Sequence, residues 1–113
     1  FKFEIRGQDA AGEPETHDGY LTVNLYPDTG KVGEIFIKMA KQGQETSGWS
    51  DAFAIAVSML LQRGIPLEDV INKFKSRRFE PSGMTNIAGI PFCNSPVDLI
   101  CRILETKFLE GSR

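Results

Sequence analysis

The segment Lys75-Ser76-Arg77-Arg78-Phe79-Glu80-Pro81-Ser82-Gly83-Met84-Thr85-Asn86 holds the richest chemistry in the chain. Two guanidiniums beside an aromatic ring, leading into a glycine-containing turn, offer phosphate forks, a stacking face and hydrogen-bond donors for a sugar or a base. Arg77, Arg78, Phe79, Ser82, Gly83, Met84, Thr85 and Asn86 are therefore the candidate ligand-binding residues, with Arg102 as a further guanidinium. The same stretch also reads as a solvated helix end, where the arginines complement the negative terminus, Phe79 packs inward and Pro81-Ser82-Gly83 turns the chain. Arg102 falls near the start of the last expected helix, where its charge opposes the dipole. It calls for a partner, either an acidic side chain or a ligand phosphate.

Catalysis needs a nucleophile or an acid-base pair held in register, and the remaining inventory is thin. His17, the one histidine, falls in an acidic, glycine-rich stretch and reads as an exposed loop residue. Cys93 and Cys101 match neither a CxxC redox pair nor a metal knuckle and read as ordinary, partly buried thiols. Neither GxxxxGK[ST] nor GxGxxG occurs. Trp49 either covers one end of the core or contacts a partner. The residues thus point to a binder without a catalytic constellation, a metal or a cofactor.

The elements that must position these groups follow from periodicity. Phe1 to Arg6 alternates apolar and polar residues as a half-buried strand does, and Tyr20 to Tyr26 resumes that alternation. Pro27-Asp28-Thr29-Gly30 carries turn chemistry before a third strand over Val32 to Lys38. Gly7 to Gly19 and Arg77 to Pro91 read as loops because glycine and proline punctuate them. Ala52 to Leu61 is an apolar decade of helix, with capping groups among Thr46-Ser47-Gly48 and Ser50-Asp51 and a stop at Gly64. Pro66 opens a second helix with the stripe Leu67, Val70, Ile71 and Phe74, its acids near one end and its lysines near the other. Ser95-Pro96-Val97-Asp98 caps a last helix along Ile100, Ile103, Leu104 and Phe108. Antiparallel strands followed by about three helices predict one α+β domain over residues 1–113.

Composition narrows the function classes. The chain is 41% apolar and 25% charged, which suits one soluble core. Its 13 basic and 15 acidic residues create no net field for a polyphosphate backbone, so bulk nucleic-acid binding is not expected. No apolar run approaches the roughly 18 residues that a bilayer requires. The opening at Phe1 shows no secretory pattern, and few cysteines suit a reducing compartment, so a cytoplasmic location is expected.

Val32-Gly33-Glu34-Ile35-Phe36-Ile37, Asp51 to Ser58, Leu61 to Glu68 and Arg78-Phe79-Glu80-Pro81-Ser82-Gly83 occur in the order of a known domain. Over most of residues 20 to 108 the chain resembles the C-terminal domain of adenosylcobalamin-dependent (class II) ribonucleotide reductases. That domain is named for a Thr-Ser-Cys-Pro-Asp motif, and the corresponding Asn94-Ser95-Pro96-Val97-Asp98 keeps the serine and the aspartate but not the cysteine. The resemblance supplies no radical-bearing barrel, cobalamin site or terminal cysteine pair, so reductase chemistry by this chain alone is not expected. Two roles follow from it. One is a detached, homo-oligomeric binder of a small nucleotide. Phage proteins that sequester cyclic ADP-ribose-type or cyclic dinucleotide immune signals are small oligomeric binders of this sort, and the domain looks similar to them. The other is an accessory domain or fragment serving a reductase catalytic chain.

Overall fold

A computed structural model describes residues 1–41 and 48–109. Strands β1 (Lys2–Gln8), β2 (Pro14–Leu25) and β3 (Val32–Lys41) are followed by helices α1 (Gly48–Gln62) and α2 (Leu67–Phe74). A short hairpin, β4 (Gly83–Ile87) and β5 (Ile90–Cys93), precedes helix α3 (Pro96–Leu104) and a π-helical turn, Glu105–Leu109. The five strands form one antiparallel sheet in the order β3-β2-β1-β4-β5. This is the α+β class that the residue pattern predicts.

Alternation along the strands puts Phe3, Ile5, Leu21, Ile35, Ile37 and Met39 in the core. Val57 and Leu61 of α1, Val70 and Ile71 of α2, and Leu99, Ile100, Ile103 and Leu104 of α3 join the same buried cluster. Helix α1 also closes the sheet at edge strand β3. Its buried Ser58 Oγ accepts from Ile35 N at 2.9 Å and donates to Ile35 O at 3.1 Å, occupying edge groups that would otherwise invite another strand. Gly30 (φ 72°) closes the β2–β3 turn through Gly30 N to Tyr26 O, and Gly64 (φ 89°) ends α1 as expected. Among the described residues, no helix is long and apolar enough to cross a membrane.

Several expectations need correction. Gly7 to Gly19 is not a loop: β1 and β2 pair in register from Lys2↔Tyr20 to Gln8↔Pro14, and only Asp9 to Glu13 turns. There Asp9 Oδ1 accepts the N–H groups of Ala11 and Glu13, each at 2.9 Å. His17 consequently lies on β2, half-buried, between Ile5 and Lys41. Its surroundings hide the strand from pattern reading because this end of the sheet carries polar side chains. Arg77 to Pro91 likewise contains β4 and the first half of β5, so strands are interleaved with helices. These strands have 5 and 4 residues, too short to display a period. Ser50 and Asp51 sit inside α1 rather than capping it, and Thr46-Ser47 lies outside the described residues. The last helix does run past Phe108, but as an α-helix only to Leu104 and then as the π-helical turn Glu105–Leu109, so Arg102 lies in the last α-helical turn rather than near the helix start.

Candidate functional site

The motif at residues 94 to 98 is structural at its centre. Ser95 is the N-cap of α3, its side chain accepting Asp98 N at 3.0 Å, and Pro96 occupies the first turn. Asp98 is only 1% exposed and its carboxylate binds three separate segments. Oδ1 accepts Ser76 N at 2.7 Å and Arg102 Nε at 2.8 Å, while Oδ2 accepts Asn94 N at 2.8 Å. The acidic partner that Arg102 calls for is therefore Asp98, one helical turn earlier. Arg102 Nη2 also reaches Ser76 Oγ at 3.2 Å. Ser76 itself has φ 71°, a left-handed conformation that a non-glycine residue holds only when its surroundings fix it.

The candidate binding residues divide around this clasp. Arg78 Nη2 donates to Asn94 Oδ1 at 3.3 Å, which places Arg78 and Arg102 in one network through Asn94 and Asp98. Arg77 is exposed just before it. Phe79 is not packed inward: it is 42% exposed and meets the 39%-exposed Trp49 edge-on, with centroids 6.0 Å apart. The indole therefore forms a surface aromatic pair instead of covering the core. Ser82 binds Glu80 through its N–H at 2.9 Å. Gly83, Met84, Thr85 and Asn86 run away along β4: Thr85 Oγ1 donates to Ile90 O, Asn86 Oδ1 accepts Glu4 N at 2.8 Å, and Met84 is exposed opposite Arg6. Ser82 and Arg102 line different concavities.

Sequence reading missed the concavity that holds Ser82. It measures about 350 Å³ and is also lined by Gln8, Asp9, Glu15, His17 and Lys41. His17 Nε2 lies 3.0 Å from Glu15 Oε1, and Lys41 Nζ lies 3.5 Å from the same oxygen. The signal for it is the two-residue spacing of Glu15 and His17, which puts both on one face once the segment is a strand. Among the described residues, no group of three or more His, Cys, Asp or Glu is arranged to hold a metal.

Both cysteines are buried. Burial pushes the Cys93 thiol up to about 11, partly opposed by a backbone hydrogen bond with Gly83. Burial, reinforced by the Asp98 and Glu105 carboxylates, pushes Cys101 up to about 12. Such thiols are protonated at neutral pH and poor nucleophiles. Iodoacetamide at pH 8 is expected to leave both unmodified in the folded protein and to alkylate both in denaturant, as read by mass spectrometry. An unfolded thiol loses its proton above the ordinary value of 9.0 while the folded one keeps it. Stability therefore falls as pH rises above 9, by about 1 kcal/mol per thiol at pH 10, measurable by urea unfolding.

A small α+β domain with a capped, aspartate-clasped third helix defines the class, and comparison supplies the family. The TSCPD domain matches residues 4–108, so the chain belongs to that family. It is 51% identical over 92 residues to a vitamin B12-dependent ribonucleotide reductase of Streptomyces avermitilis, covering 81% of this chain and 9% of the relative. The protein of the same name from Rhodopirellula baltica is 48% identical over 111 residues, covering 98% of this chain and 10% of the relative. The chain thus spans about a tenth of the length of these curated relatives. No solved structure gives a significant match.

Proposed function

We propose that the chain is a non-catalytic domain of the B12-dependent ribonucleotide reductase system, acting by binding, either within a reductase chain or beside one. The observation that carries this reading is near-complete coverage at 48% identity inside a protein named for that activity. The chemistry agrees with it. The thiols are buried and protonated, and the motif's aspartate is consumed in holding α2, the residue 94 turn and α3 together.

A second reading, a small-nucleotide binder, is favoured by the exposed Trp49–Phe79 pair, whose Phe79 directly follows the exposed Arg77 and Arg78 in the chain. An aromatic edge beside guanidiniums suits a base and a phosphate. In its sharpest form the chain is an oligomeric sponge for cyclic nucleotide or cyclic ADP-ribose signals.

Calorimetry separates the two. Titrating the chain into a B12-dependent reductase catalytic chain lacking this domain is expected to give saturable binding, and the chain alone is expected to reduce no ribonucleotide when given adenosylcobalamin and a dithiol. Reduction by the chain alone overturns the first reading. Saturable binding of a cyclic nucleotide, weakened at least tenfold by Arg78→Ala and retained by His17→Ala, with no heat from the reductase, selects the second.

A further inference from the structure

Helix α1 is apolar on both sides. Its inner face buries Ala54, Val57 and Leu61, yet Ala52, Ile55, Ala56 and Met59 form a second stripe on the outer face at helical spacing. Ile55 is 55% exposed and Met59 56%, with Trp49 and Leu60 exposed alongside. A helix in contact with water normally spends that face on charged residues. Asp51 is instead the one charged residue of α1, and Arg63 follows it directly beyond the C-terminal end. The small side chains of Ala52 and Ala56 between Ile55 and Met59 let another helix approach closely.

The distribution of charge says which occupant fits. With the acid at one end and the base at the other, a second α1 laid antiparallel across the stripe puts Asp51 of each copy beside Arg63 of the other. It also opposes the two helix dipoles. Parallel packing would set like charges together at both ends. An antiparallel pair about a two-fold axis is self-complementary, as a closed dimer requires. We infer that the outer face of α1 is a homodimer interface in which two copies pack antiparallel through Ala52, Ile55, Ala56 and Met59, closed at each end by Asp51 and Arg63. This inference does not depend on the reductase reading. Two helices of 15 residues, each about 22 Å long, offer less contact than a standard interface, so the dimer dissociates on dilution.

Sedimentation equilibrium of the 113-residue chain tests this. The mass is expected to rise from monomer to dimer across roughly the micromolar range. Met59→Glu and Asp51→Arg should each weaken dimerisation at least tenfold without changing the circular dichroism spectrum. The double variant Asp51→Arg, Arg63→Asp should restore it to within threefold. A wild-type chain that stays monomeric throughout overturns the inference, as does a dimer that either single variant leaves within threefold of wild type. A monomeric chain that binds a reductase catalytic chain through this stripe, with binding lost in Met59→Glu, also overturns it.

Discussion

Asp98→Ala is expected to destabilise the protein by about 3–5 kcal/mol, the range for removing one partner of a buried, hydrogen-bonded charge cluster. The carboxylate accepts from Ser76 N, Asn94 N and Arg102 Nε at 2.7–2.8 Å. Each charge-assisted bond contributes about 1.5–3 kcal/mol, but the bonds are not additive. Arg102 is about one-third exposed and regains water when released, so its bond contributes less than a fully buried ion pair would. Asp98→Asn retains the shape but loses the charge, and its amide nitrogen must face a donor, so it should lose a smaller part of the same stability. Ser95→Ala, which removes only the cap, should cost about 1 kcal/mol. Urea unfolding followed by circular dichroism orders the three variants. A loss below about 1 kcal/mol for Asp98→Ala would show that the clasp does not organise the end of α2 and the start of α3. For a domain whose net stability is expected at about 5–15 kcal/mol, the expected loss is a large share of the whole.

That clasp also marks the boundary of what was legible from residues alone. Ser95-Pro96-Val97-Asp98 announces a helix start because capping is local, and the structure places the cap there. The period-two runs at Phe1, Tyr20 and Val32 become strands for the same reason: one face meets the core. What local pattern does not carry is burial set by distant segments. Asp98 reads as part of a helix-capping segment, and only the approach of Ser76 and Asn94 makes it a buried hub. Glu15 and His17 read as loop because their strand lies at a polar end of the sheet, so its pairing with β1 and β3 leaves no apolar alternation. Arg102 reads as misplaced because its partner Asp98, one turn earlier, shows as a buried acceptor only once the fold is assembled. For the candidate site, pattern reading locates Arg78 and Arg102, which share a network, but not the turn of β4 that carries Met84 to Asn86 onto the sheet.

Gly83→Ala is expected to cost about 3–5 kcal/mol and to expose Cys93. A β-carbon at Gly83 would stand 2.1 Å from Arg6 O and 2.8 Å from its carbonyl carbon, both backbone atoms that cannot swing aside. Gly83 also has φ 152°, which side chains rarely adopt. Overpacking typically costs about 1–3 kcal/mol, and a strained backbone conformation adds about 1–3 kcal/mol. Relief requires β4 to lift from β1 at the point where the chain enters the sheet after the Arg77 to Pro81 corner. Gly83 faces Cys93 across the β4–β5 hairpin, so lifting β4 also loosens the cover of that thiol. The variant should therefore show a lower urea midpoint and, under native conditions at pH 8, alkylation of Cys93 ahead of Cys101. Gly30→Ala is the matched comparison. It too has a positive φ, 72°, but a β-carbon there meets nothing within 4 Å, so it should cost about 1 kcal/mol and leave both thiols protected. Equal losses for the two substitutions would mean that backbone conformation alone, and not the contact between β1 and β4, sets the need for glycine at 83.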